Sequence, residues 1–166
     1  QTIIASQTAL NVDEGESATL RVSLSAQPPA DVTVTVASSD ANAVAAVPTQ
    51  LIFTPANFAV DQLVTVTGAD DNDTVNESET VTLSTGGVTD VVVAVTVDDN
   101  DVQSLVVDRG LVSPDEGGSD TFNVSLAFDP VTDLVVNIVS SDPGRATTVP
   151  ASVTFTSANY AAPQPI

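Results

Sequence analysis

The chain has 166 residues, enough for one or two domains, and 42% of them are hydrophobic, so it can bury a core. Its formal net charge is −19, with Arg21, Arg109 and Arg145 as the only cationic side chains, which excludes nucleic-acid or other phosphate binding and disfavours an anionic membrane without bridging cations. The absence of Cys and His removes disulfides and any Ser/His or Cys/His nucleophile, and no apolar run approaches the ~20 residues of a membrane helix.

Strand signals run along the chain in order. Ile3-Ile4 is a short apolar pair. Ala18, Leu20, Val22 and Leu24 alternate with polar residues, as do Val32, Val34 and Val36, then Val64 and Val66, and then Val81 and Leu83. Leu51-Ile52-Phe53 adds a shorter run, and Val91, Val93, Val95 and Val97 form the last. This period of two, carried by Val, Ile and Thr and broken by turn residues such as Pro28-Pro29 and Gly86-Gly87, describes strands with one buried face. About seven short strands per ~100 residues predict an all-β, immunoglobulin-like antiparallel β-sandwich. No segment carries a sustained helical period.

The chain also repeats itself. Asp13-Glu14-Gly15 recurs as Asp115-Glu116-Gly117, Ser38-Ser39-Asp40 as Ser140-Ser141-Asp142, and Val47-Pro48 as Val149-Pro150. The offset is constant, since 115 − 13 and 142 − 40 both give 102. The first unit is therefore expected over residues 1–102 and the second over 103–166. Ile166 corresponds to Val64, so the second unit is expected to be incomplete, lacking its last strands. The chain is accordingly expected to be a segment of a longer array, a processed product, or a subunit completed by a neighbour's strand.

Acids in the first unit are grouped. They fall at Asp13, Glu14 and Glu16, at Asp40, at Asp70, Asp71 and Asp73, at Glu77 and Glu79, and at Asp98, Asp99 and Asp101. In the expected sandwich the loops carrying them lie at one end. Carboxylates about 4 Å apart repel by roughly 1 kcal/mol in water and about 4 kcal/mol at an effective dielectric near 20. Such a set is either solvated on an acidic surface or collects a hard cation. Many oxygens with no His or Cys suit Ca²⁺. EF-hand spacing is absent. Three N-glycosylation patterns occur, at Asn72, Asn76 and Asn123, and patterns this short arise by chance.

The Asp-Glu-Gly turn, Ser-Ser-Asp, the strand into Asp70-Asp71-Asn72-Asp73 with Glu77 and Glu79 after it, and the closing Val97-Asp98-Asp99-Asn100-Asp101 together resemble a Calx-beta domain. The resemblance spans the first unit and the first two thirds of the second. It implies Ca²⁺ ligands at Glu14, Asp40, Asp70, Asp71, Glu77 or Glu79, Asp98, Asp99 and Asp101, with Asp73 in the same acidic loop. Asn72 and Asn100 stand where that family often has a further Asp, and Gly118 replaces the Glu16 of the first unit.

The function expected is a calcium-binding structural or adhesive repeat of a secreted or cell-surface protein, with Ca²⁺ rigidifying inter-domain junctions. Its expected partners are neighbouring repeats or subunits, with host or matrix surface ligands as further candidates. A filament subunit completed by strand exchange and a carbohydrate- or protein-binding module are the alternatives. An enzyme is not expected: without an aromatic-lined cleft, the acids are a poor glycosidase pair.

Overall fold

The structure, a computed structural model, describes residues 1–166 and is all-β, with fourteen strands and no helix. No helix is therefore long and apolar enough to cross a membrane. The chain divides into two units. One comprises Gln1–Asp71 and Val75–Asn100, the other Asn72–Thr74 and Asp101–Ile166.

The first unit is a two-sheet, immunoglobulin-like sandwich. One sheet has the order β1-β3-β7-β5, built from β1 (Ile3–Ala5), β3 (Ser17–Leu24), β7 (Gln62–Gly68) and β5 (Val44–Val47). The other has the order β2-β9-β8-β4-β6, built from β2 (Ala9–Asp13), β9 (Val91–Asp98), β8 (Glu77–Ser84), β4 (Val32–Ser38) and β6 (Gln50–Phe53). Alternation decides the faces. Leu20, Val22, Val64 and Val66 from the first sheet meet Val34, Phe53, Val81, Leu83, Val93 and Val97 from the second, and all are fully buried. Each contributes about 1.5–3 kcal/mol by leaving water, and the Thr residues between them face outward.

One pairing departs from an all-antiparallel sandwich: β2 runs parallel to β9. The cause is that the N-terminal segment serves both sheets. β1 pairs with β3, the chain passes across at Ser6–Thr8, and β2 then lies along β9. The alternation of the sequence marks β1, β3, β4, β6, β7, β8 and β9, but not β2 or β5. β2 carries only two large apolar residues, Leu10 and Val12, and β5 is Val44-Ala45-Ala46-Val47, where alanine blurs the contrast between faces.

The second unit holds a three-stranded sheet, β10 (Leu105–Val107), β11 (Asn123–Leu126) and β14 (Gln164–Pro165), and a two-stranded one, β12 (Leu134–Asn137) with β13 (Ser152–Phe155). Its core is small: Val124, Leu126, Phe155 and Ile166 are buried, with Phe122, Val136, Ile138, Val153 and Tyr160 packed against them.

Candidate metal centre

Backbone hydrogen bonds bring the acidic loops of the first unit to one end of the sandwich. The turn after β2 is closed by Glu16 N–H donating to Asp13 O at 3.0 Å, and Gly15 adopts φ +71°, a region that favours glycine. Glu14 N–H donates to Asp98 O at 3.1 Å, and Gly15 N–H to Gly68 O at 3.2 Å. Gly68 N–H returns a bond to Glu16 O at 3.2 Å, and Ala69 N–H reaches Ala43 O at 2.9 Å. Gly68 is required here. A Cβ at this position would stand 2.7 Å from Val97 Cγ1 and 3.3 Å from Asp13 O.

Glu14 is the unusual residue of this end. It is only 4% exposed, whereas most of the other acids remain exposed or half-buried. Its Oε1 accepts a long hydrogen bond from Asp71 N–H at 3.3 Å, while its buried Oε2 has no hydrogen-bond partner. Burial raises the Glu14 pKa above the ordinary 4.5, and the charges of Asp99 and Asp71 push the same way. Backbone N–H groups of Asn100 and Asp71 pull it partly back. A buried carboxylate oxygen left unsatisfied costs several times what an ordinary hydrogen bond contributes, so its presence calls for a specific cause such as an ion.

Carboxylate oxygens of Glu14, Asp71 and Glu77 lie within 4.8 Å of one another. Glu14 comes from the turn after β2, Asp71 from the loop after β7, and Glu77 from the first residue of β8, which pairs with Val97. Three carboxylates converging from three segments, one of them the buried Glu14, suit a hard divalent cation of the Ca²⁺ type, which takes six to eight oxygen ligands.

The remaining acids proposed from the sequence have varied surroundings. Asp98 ends β9, where its Oδ1 accepts from Asn76 Nδ2 at 2.9 Å. Asp99 follows, half-buried, its N–H donating to Asn76 Oδ1 at 3.1 Å. Asp70 is exposed on the loop after β7. Asp40 accepts from Asn42 N–H at 2.8 Å in a local turn. Glu79 accepts a short hydrogen bond from Ser39 Oγ, whose oxygen in turn accepts from Thr80 N–H at 2.8 Å, so Ser39 ties Glu79 to the β4 end. Asp73 and Asp101 belong to the segments that form the second unit. The structure thus gathers Glu14, Asp71 and Glu77 into one group, engages Asp98 through Asn76, and leaves Asp40 and Glu79 with protein donors of their own.

Asn76, Gly68 and Ser39 are the supporting residues to which the sequence assigns no role at the site. Asn76 stands out in sequence only as a glycosylation pattern and by its place directly before an acidic strand start. Gly68 stands out as the glycine ending a Val/Thr run.

No protein-family model matches the chain, and no curated protein matches it. Among solved structures it is similar to domains 4 and 5 of the S-layer protein SbsC, at 25% identity and TM-score 0.44, over 59% of this chain and 51% of that one. The chain therefore spans about half the length of that S-layer segment. It is similar to a chaperone–tip adhesin complex of CFA/I fimbriae biogenesis at 9% identity and TM-score 0.49, over 100% and 84%. It is also similar to a complex of the Salmonella enterica SafA pilin with the SafB chaperone, at 12% identity and TM-score 0.48, over 75% and 67%. The β-sandwich class itself rests on the strand order and register described above.

Proposed function

We propose that the protein is a calcium-binding structural repeat of a secreted or cell-surface protein, of the Calx-beta type. The observation that carries the reading is Glu14: a carboxylate 4% exposed, with an unsatisfied buried oxygen, in a group with Asp71 and Glu77. Ca²⁺ at this position would neutralise the mutual repulsion of the three carboxylates and supply the missing partner of Glu14 Oε2. The site would fix the turn after β2, the loop after β7 and the end of β9, from which the chain passes through Val102-Gln103 into the second unit. The role is mechanical rather than catalytic, and the partners are neighbouring repeats of the same kind. A strongly acidic surface supports the reading further, because it is compatible with an exterior rich in divalent cations.

Extracellular calcium modules bind at about 10⁻⁴–10⁻³ M. At ten to a hundred times the dissociation constant, one site stabilises by about 1.4–2.7 kcal/mol. Thermal unfolding of the intact chain with Ca²⁺ and with chelator tests this directly. Ca²⁺ should raise the Tm of the first unit by several degrees, and Glu14→Gln should remove most of that rise. An unchanged Tm in chelator would overturn the reading.

A further inference from the structure

The candidate site depends on how β9 ends, and one side chain governs that. Asn76 lies in the loop before β8 and bridges to the exit of β9 with both halves of its amide. Nδ2 donates to Asp98 Oδ1 at 2.9 Å, and Oδ1 accepts from Asp99 N–H at 3.1 Å. The main chain at the same point holds the other wall of the site, because Asp98 O accepts from Glu14 N–H at 3.1 Å. Asn76 is also covalently adjacent to Glu77. One residue therefore links the segments carrying Glu77, Asp98–Asp99 and Glu14.

We propose that Asn76 is a positioning residue for the cation site: its amide clamps the β9 exit so that Glu14 and Glu77 are presented to one ion. This rests on the calcium reading above. The chemistry is specific to an amide. The position faces an acceptor, the Asp98 carboxylate, and a donor, the Asp99 N–H, and only Asn among side chains of this length offers the matching pair. Aspartate would keep the acceptor but set a second carboxylate against Asp98, and alanine would lose both bonds. The site is not formed by Asn76 contacting the ion. Asn76 aligns the residues that do, in the way that outer partners orient metal ligands elsewhere.

The test is Ca²⁺ titration calorimetry on the intact chain and on Asn76→Ala and Asn76→Asp, with the metal-free Tm and the luminescence lifetime of bound Tb³⁺ measured on each. The lifetime reports water on the ion, which a purely structural role would not change. Wild type should bind, both variants should bind about 10–100-fold more weakly, and the Tb³⁺ lifetime should shorten as water replaces a misaligned carboxylate. Asn76→Asp keeps the side-chain length and provides the reading if Asn76→Ala fails to fold. Tight binding retained in both variants, or tighter binding in Asn76→Asp as expected of a direct ligand, would overturn the positioning role while leaving the calcium reading intact. A wild type that does not bind Ca²⁺ would overturn both.

Discussion

The two units carry related sequences and reach different degrees of order, and the difference follows strand partners. At the 102-residue offset, β10 matches β1, β12 matches the first half of β4, and β13 matches β6, with the registers preserved. Val32↔Phe53 becomes Leu134↔Phe155, and Val22↔Gln62 becomes Val124↔Gln164. The segments that lack strand structure in the second unit are those whose counterparts pair with residues 65–98. Residues 111–115 match β2, which needs β9; residues 146–149 match β5, which needs the end of β7; residues 138–140 match the part of β4 that pairs with β8. Ile3 is 5% exposed and its counterpart Leu105 is 53% exposed. The second unit also carries an open groove of about 390 Å³, lined by Asn137, Ile138, Val139, Ser140, Thr147 and Thr148 among others. Local alternation nominates a strand, and a neighbour's ladder makes it one. Pro114, which takes the place of buried Val12, adds a local obstacle at one of these segments.

Core truncation gives the largest expected effect and separates the units most sharply. Phe53 and Phe155 are both fully buried. Phe53→Ala should cost about 3–5 kcal/mol and leave a folded sandwich with a lower Tm. Phe155→Ala removes the centre of a small core and should abolish amide protection throughout the second unit. Native-state hydrogen exchange distinguishes the two, and Val124 and Leu126 still protected in Phe155→Ala would break the comparison. The same experiment on wild type should find amides protected in β2 and β5 and freely exchanging in 111–115 and 146–149.

Gly68→Ala comes next. Its Cβ must displace Val97 or the Asp13 carbonyl, so the first unit should lose about 1–3 kcal/mol in chemical denaturation while the second is unaffected. The smallest effect is on pH. Glu14 has a raised pKa, so without metal its contribution to stability is fully present below the ordinary 4.5 and is lost as pH rises through the folded value. Asp108 and Asp120 in the second unit behave oppositely. The backbone and side-chain amides of Asn123 hold Asp108 below 3.8, and the N–H groups of Ser113 and Thr121 do the same for Asp120. Their contribution is present above 3.8 and is lost as pH falls through the lowered values. Metal-free denaturation at a series of pH values should therefore give Glu14→Gln a flatter profile than wild type between 4.5 and neutrality, and Asp108→Asn a flatter one on the acid side.

Much of this was legible beforehand. Seven of the nine strands of the first unit, the 102-residue period and the meeting of acidic loops at one end all follow from alternation, repeated tripeptides and the connectivity of a sandwich. What was not legible depends on three-dimensional neighbours. Glu14, singled out over Asp13 and Glu16 by the family resemblance, continues the inward parity of Leu10 and Val12; that its carboxylate stays buried depends on the bonds to Asp98 and Gly68 that fix the turn. Glu77 and Glu79 are equivalent in sequence. They diverge because Ser39, reaching across from the end of β4, takes Glu79. Asn76 looks like an ordinary loop residue until the β9 exit is laid beside it.

Whether Glu14, Asp71 and Glu77 hold one cation is the decisive question. A crystal structure of the intact chain grown with saturating Ca²⁺ tests it most directly. An ion is expected about 2.3–2.6 Å from oxygens of all three residues, with Glu14 Oε2 among its ligands. Density without an ion there, and Glu14 Oε2 hydrogen-bonded to protein or water instead, would contradict it.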